Sequence, residues 1–231
     1  MSKFIIVGAG EFAGFKPEHA LLENREEYFI IAADGGYDHI QKHYDGKIKP
    51  NLLVGDLDSI TEPNLLPELQ TRRFPCEKNA SDLELAVDIA FERVPSQVQL
   101  QLYIYGALGG RLDHTLANIA LLGNLSKKRP KSCFLIGNNE RLTAVTDGKL
   151  TLSPPPRSLR GVGSGVNSDI RFVSIFPVGI ARGVKITGLK YTLDGVELSQ
   201  DVPTIGLSNE FIGVTAEISI ECGTLIVVLN Y

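Results

Sequence analysis

Tryptophan is absent from the chain, so any aromatic stacking on a ligand must use its seven tyrosines or ten phenylalanines. Cysteines are scarce: Cys76, Cys133 and Cys222 are odd in number and far apart. They form neither a disulfide framework nor a zinc-ligand spacing, and a reducing cytosol suits them. Positive charge is not in excess, with 23 Lys and Arg against 27 Asp and Glu and a net charge of -4. A general nucleic-acid-binding surface is therefore not indicated. No apolar run approaches the length of a membrane span. The run Phe4-Ile5-Ile6-Val7 is too short for a signal-peptide core. No short repeat is evident. What is present is ordinary for a soluble globular protein: 231 residues, 43% hydrophobic and 22% charged. That length allows one large domain or two small ones and buries a core without staples.

Strand and helix patterns alternate over the first part of the chain. Strands are expected at Phe4–Val7, Tyr28–Ala33, Leu52–Val54, Leu102–Tyr105 and Ser132–Ile136, with a shorter one over Arg72–Pro75. A helix is expected near Tyr37–His43. Another spans Ser81–Val94, where Leu83, Ala86, Ala90 and Val94 recur at helical spacing. A third spans Asp113–Lys127, before a Ser-Lys-Lys-Arg-Pro stop. This alternation predicts an α/β domain over residues 1–137 with a mainly parallel sheet. Ligands of such sheets bind beyond the carboxyl ends of the strands.

From residue 138 to 231 helical periodicity disappears. Short strands are separated by Asp147-Gly148, Thr187-Gly188, Asp194-Gly195 and Cys222-Gly223, an all-β pattern of sandwich or barrel type. The apolar run Thr224–Leu229 is expected as a central strand there or as one buried in a subunit interface. The Pro154–Asp169 stretch, rich in Pro, Gly and Ser, reads as a mobile loop within the β domain.

The chemistry-bearing stretches follow strand ends. Leu52-Leu53-Val54 leads into Gly55-Asp56-Leu57-Asp58-Ser59. Alone, this reads first as a polar turn. Two carboxylates leaving a strand end also suit Mg²⁺, which takes one or two carboxylates plus substrate phosphates. Asp34-Gly35-Gly36 follows the preceding strand. Lys78-Asn79-Ala80-Ser81-Asp82-Leu83-Glu84 opens a helix. There Ser81 and Glu84 match a capping box and Asp82 suits the helix dipole. Lys78 has no such role, and a phosphate would use it together with the free helix N–H groups. Gly106, Gly109 and Gly110 allow close backbone approach to a ligand, and Arg111 offers a bidentate fork for phosphate oxygens. Asp113 is placed to cap the helix that follows. His114 and Asn118 are four apart on it and share a face, and His114 is assigned to ligand or loop positioning rather than proton transfer. The glycine turn Gly8–Gly14 misses the dinucleotide fingerprint by one residue and is a weak phosphate signal. Ser208-Asn209-Glu210 reads by itself as a polar loop.

Together these stretches resemble the thiamine pyrophosphokinase family over nearly the whole chain. The matching segments are Asp34-Gly35-Gly36, Gly55 through Ser59, Lys78 through Glu84, Gly109 through His114 with Asn118, and Ser208-Asn209-Glu210. Two positions depart from the family pattern: Asn79 stands where an aspartate is usual and Ser81 where a threonine is usual. Ser81 keeps the hydroxyl, whereas Asn79 removes a charge near the expected metal. The resemblance implies an N-terminal α/β domain, a C-terminal β-sandwich and a homodimer, which the cysteine usage places in the cytoplasm. It implies pyrophosphoryl transfer from ATP to the thiamine hydroxyl, releasing AMP. The thiamine site would lie between subunits, with Ser208 and Asn209 contributing. Asp56, Asp58 and Asp82 would hold Mg²⁺. Lys78 and Arg111 would neutralise phosphate, and Asp113 or Asp82 would take the hydroxyl proton. Asp34, Gly35, Gly36, Ser59, Ser81, Gly109, Gly110, His114 and Asn118 would line the nucleotide site. The rival readings are a pyrophosphokinase for another small alcohol such as a pterin, a metal-dependent phosphatase, and a non-catalytic nucleotide or thiamine sensor.

Overall fold

The computed structural model describes residues 2–16, 27–58, 60, 69–77, 79–128, 132–154, 170–202 and 205–231. Ser59 and Lys78 lie outside the described residues, as does the expected loop from residue 155 to 169. The chain divides into two compact units, Met1–Leu121 with Arg129–Asn138 and Leu122–Lys128 with Asn139–Tyr231. The final residues of the third helix thus group with the second unit.

In the first unit the strands are β1 (Ser2–Val7), β2 (Tyr28–Ala33), β3 (Leu52–Gly55), β4 (Thr71–Arg73), β5 (Leu100–Tyr105) and β6 (Ser132–Ile136). They lie in the order β4-β3-β2-β1-β5-β6, and every neighbouring pair is parallel. Helices α1 (Gly36–Tyr44), α2 (Asp82–Glu92) and α3 (Leu112–Leu125) complete the described elements. Runs of Ile, Val and Ala fill the central strands because both faces are covered. On one face Tyr37 and Ile40 of α1 pack against Ile5, Val7, Ile30, Ala32 and Leu53. The alternating residues Ile6, Ile31 and Val54 are equally buried, and α2 packs on β1, β2 and β3. Helix α2 begins at a capping box: Ser81 Oγ accepts the Glu84 N–H, and Glu84 Oε2 accepts the Ser81 N–H. Such a cap stabilises by about 1 kcal/mol and fixes where Asp82 enters the helix. Strand β4 occupies the end of the sheet, and Thr71, Arg72 and Arg73 are all exposed. Chain order reverses between β1 and β5, the kind of position where open α/β sheets take ligands.

The second unit holds β7 (Glu140–Thr146), β8 (Lys149–Leu152), β9 (Phe172–Pro177), β10 (Ile180–Thr187), β11 (Leu193–Ser199), β12 (Ala216–Ser219) and β13 (Thr224–Asn230). Strands β7-β13-β9 and β11-β10-β12-β8 form antiparallel arrays. Strand β13 is central between β7 and β9, as its apolar run requires. Val173, Ile175, Leu225 and Val227 from one array share a core with Val184, Ile186, Leu198 and Ile218 from the other. This is a β-sandwich. The outer side of the β8–β12 array carries the ion pairs Lys149–Glu217, Arg182–Glu197 and Lys185–Asp194, so that surface is solvated rather than packed.

Candidate active site

Three carboxylates converge where β2, β3 and α2 meet. Asp34 follows β2 in the left-handed conformation, at φ 48°. Its N–H donates to the Val54 carbonyl of β3 at 2.8 Å, which ties the two strand ends together. Gly36 then starts α1 against β1, where a Cβ would stand 1.9 Å from the Val7 carbonyl oxygen. Gly55 ends β3 at φ 147°, and a Cβ there would meet Asp34 Cβ at 3.1 Å and Asp82 Oδ1 at 3.2 Å. The glycine thus lets Asp34, Asp56 and Asp82 approach: one donor oxygen from each lies within 4.8 Å of the others. Asp34 is buried, and Asp56 and Asp82 are half-buried. Like charges held this close repel, and a cation relieves them. An octahedral Mg²⁺ with oxygens at about 2.0–2.1 Å places opposite ligands roughly 4 Å apart, so this hard oxygen set suits Mg²⁺.

Asp58 belongs to a different group. Leu57 takes φ 69°, and Asp56 Oδ1 accepts the Asp58 N–H at 3.3 Å. The turn brings Asp58 beside Asp56 and Cys76, with donor atoms within 4.8 Å of one another. Among the described residues Asp56, Asp58 and Asp82 do not form one such set. Asp34 stands with Asp56 and Asp82 instead.

The turn after β5 is held from the side of α3. Gly106, Gly109 and Gly110 all take positive φ, at 61°, 75° and 65°. Asn118, buried, donates from Nδ2 to the Ala107 carbonyl at 2.8 Å. Thr115 Oγ1 donates to the Gly109 and Arg111 carbonyls at 3.4 and 3.2 Å. Asn118 is therefore committed to the loop, while His114, four residues earlier, is exposed. Arg111 grips Asp113 with both ends of its fork, Nε to Oδ1 at 3.2 Å and Nη2 to Oδ2 at 2.5 Å. Those hydrogen bonds hold the Asp113 carboxyl down at about 2 and push the guanidinium up.

In the sandwich unit Ser208 is exposed at φ 54°, its N–H donating to Ser174 Oγ at 3.0 Å. Asn209 is 2% exposed and pairs with Val173 as an isolated bridge. Its Oδ1 accepts the N–H groups of Tyr191 and Glu210 at 2.9 and 3.0 Å, and its Nδ2 donates to the Tyr191 carbonyl at 2.6 Å. Tyr191, 60% exposed, is thus held by its backbone with its ring open. The Lys190 ammonium lies 5.6 Å from that ring centroid and pairs with Glu210. Tyr191 and Cys76 are not site candidates in the sequence, and Asp34 is expected to border the nucleotide rather than to join the metal carboxylates. The aromatic after Leu189-Lys190 is the one signal that points to Tyr191.

Comparison with known proteins agrees with both units. The family model for the thiamin pyrophosphokinase catalytic domain matches residues 20–134, and that for the thiamin pyrophosphokinase vitamin B1 binding domain matches residues 166–226. Thiamine pyrophosphokinase of Bacillus subtilis (strain 168) is 28% identical over 225 residues, covering 94% of this chain and 91% of that protein. Thiamine pyrophosphokinase 3 of Oryza sativa subsp. japonica is 24% identical over 190 residues, covering 73% and 66%. The Bacillus subtilis crystal structure superposes with a TM-score of 0.78 at 26% identity over 99% of both chains. Thiamin pyrophosphokinase from Candida albicans also gives 0.78, at 16% identity over 100% of this chain and 89% of that one, a likeness of fold. With its catalytic and vitamin-binding models matched in order along one polypeptide, the chain belongs to the thiamine pyrophosphokinase family.

Proposed function

We propose that the chain carries out its family's reaction, pyrophosphoryl transfer from ATP to the hydroxyl of thiamine, through the carboxylates at the ends of β2 and β3. The observation that carries this reading is the convergence of Asp34, Asp56 and Asp82 within 4.8 Å at the carboxyl edge of a parallel sheet. In this reading residues 1–137 bind ATP and Mg²⁺, while residues 138–231 bind thiamine and dimerise. Asp34, Asp56 and Asp82 would hold Mg²⁺, with Asp58 nearby, and the ion would supply charge neutralisation on the phosphate oxygens. Lys78 and Arg111 add cationic side chains for the same oxygens. Asp34-Gly35-Gly36, Ser59, Ser81 and the Gly109–Gly110 turn border the nucleotide.

The thiamine hydroxyl oxygen attacks the β-phosphorus in line. The bond from that phosphorus to the oxygen bridging it to the α-phosphorus breaks, and AMP leaves with that oxygen. Arg111 exchanges its carboxylate partner for phosphate oxygens. Asp113, released, regains ordinary carboxylate basicity and takes the hydroxyl proton, an effect of about 10² to 10⁴. Positioning and charge stabilisation supply most of the rest. Thiamine carries a cationic thiazolium ring, and the exposed Tyr191 ring, whose backbone Asn209 holds, offers it an aromatic face. The active assembly is a cytoplasmic homodimer with the thiamine site between subunits. The membrane is not a partner in this reading, and among the described residues no helix is long and apolar enough to cross one.

The test is direct. Incubation with ATP, Mg²⁺ and thiamine yields equal amounts of AMP and thiamine diphosphate. ADP, free phosphate or no turnover contradicts the reading. Turnover with a pterin alcohol in place of thiamine transfers it to the rival acceptor.

A further inference from the structure

The glycine turn after β1, a weak phosphate signal in the sequence, faces the turn after β5. The two run against each other by their backbones. The Gly10 N–H donates to the Gly106 carbonyl at 2.8 Å and the Glu11 N–H to the Leu108 carbonyl at 2.9 Å. A Cβ on Gly106 would stand 2.2 Å from the Gly8 carbonyl oxygen, and one on Gly10 would stand 2.7 Å from that of Gly106. Gly8, Gly10 and Gly106 are therefore explained by this contact alone.

Glu11 carries the contact further. Its side chain lies directly over the second turn, where a Cβ on Gly109 would come within 2.4 Å of Glu11 Cδ. Its Oε1 accepts the Gly110 N–H at 3.4 Å. From α3 Asn118 donates to the Ala107 carbonyl and Thr115 to the Gly109 carbonyl. Consecutive glycines have the largest backbone freedom of any dipeptide. Gly109 and Gly110 nevertheless immediately precede Arg111, whose fork has to find phosphate oxygens.

We infer that Glu11 is a positioning residue for ATP capture: its carboxylate holds the Gly110 N–H while Thr115 holds the Gly109 carbonyl, so that Arg111 starts from one fixed place. Ordering the turn beforehand removes a cost that phosphate binding otherwise bears. The inference rests on the reading that Arg111 receives the phosphates of ATP. A structural brace alone would act on stability. A positioning residue acts on the KM for ATP and leaves kcat and the KM for thiamine in place.

The test uses the full chain and three variants. Glu11→Ala raises the KM for ATP by about three- to tenfold, the scale of one ordinary net hydrogen bond. Glu11→Gln restores it, because the amide oxygen accepts the same N–H. Glu11→Asp, one methylene short, behaves as the alanine variant. In substrate-free protein, hydrogen exchange at the Gly110 amide quickens by about tenfold in Glu11→Ala and not in Glu11→Gln. An unchanged KM and unchanged exchange in Glu11→Ala overturn the inference. So does a Glu11→Gln variant that binds ATP better than the wild type, since the carboxylate would then be opposing phosphate. A wild type that makes no AMP from ATP and thiamine contradicts the functional reading instead, and the exchange measurement still decides what Glu11 does.

Discussion

The Asn209 side chain holds both backbone polar groups of Tyr191, accepting its N–H at 2.9 Å and donating to its carbonyl at 2.6 Å. One amide thereby fixes an exposed aromatic residue eighteen positions away. Asn209→Ala leaves three backbone groups without their buried partner and costs roughly 2–4 kcal/mol of stability, read from denaturant midpoints. Tyr191→Ala leaves stability nearly unchanged and raises the KM for thiamine by about tenfold, the effect of losing an aromatic face for a cation. Equal kinetics in wild type and Tyr191→Ala would remove the tyrosine from the thiamine site.

Gly55 is the second point of leverage. Alanine there is strained at φ 147° and crowds Asp34 and Asp82 at 3.1 and 3.2 Å. Gly55→Ala is expected to lower turnover by at least tenfold and to raise the Mg²⁺ concentration needed for half-maximal rate. Asp34→Asn should shift that Mg²⁺ requirement more than Asp58→Asn does, because Asp34 shares the set with Asp56 and Asp82. The reverse ranking in a Mg²⁺ titration would return Asp58 to the direct ligand set.

The Arg111–Asp113 pair makes a pH prediction. The Asp113 carboxyl sits at about 2, below its ordinary 3.8. Its folded value is lowered, so the pair is fully formed above the ordinary carboxylate value and is lost as pH falls towards 2. Arg111→Ala returns the Asp113 titration to the ordinary range, visible in its side-chain carboxyl carbon shift. Both groups are exposed, so the variant keeps its melting temperature and loses turnover. Full activity with an equal melting-point loss would make Arg111 structural.

The thiols separate by burial. Cys133 is buried, and burial pushes its thiol up to about 12, whereas Cys76 and Cys222 are exposed. A thiol reagent at neutral pH should label two cysteines in the native chain and the third only after denaturation. Because Cys76 Sγ lies within 4.8 Å of Asp56 and Asp58 oxygens, Mg²⁺ with ATP should slow alkylation of Cys76 and leave Cys222 unaffected. Equal slowing at both sites would point to a global change rather than local cover.

The alternation of strand and helix up to Ile136 and its loss afterwards were legible because burial on two faces and on one face leave different apolar spacings. Ser81 and Glu84 announced the start of α2 through their own local geometry. The strand ends marked Asp34, Asp56 and Asp58 as residues of one crevice, but not which of them meet. Asp34 meets Asp56 only because β2 and β3 are neighbours, and Asp58 turns towards Cys76 only because Leu57 takes a left-handed backbone. Evenly spaced letters in Asp56-Leu57-Asp58 carry no mark of that turn. Asn209 stands in the expected thiamine-binding set, and its hydrogen bonds to the backbone of Tyr191 and Glu210, residues far apart in the chain or outside any strand, have no mark in the sequence.

Strand β4, three residues long with two arginines and every side chain in solvent, borders the parallel sheet. A border this short and polar, with Arg72 held to Glu92, offers little to a second copy arriving edge to edge, so the molecule is guarded against growing into fibres from this side. Replacing Arg72 and Arg73 by valine would remove the guard, and turbidity on concentration would report it.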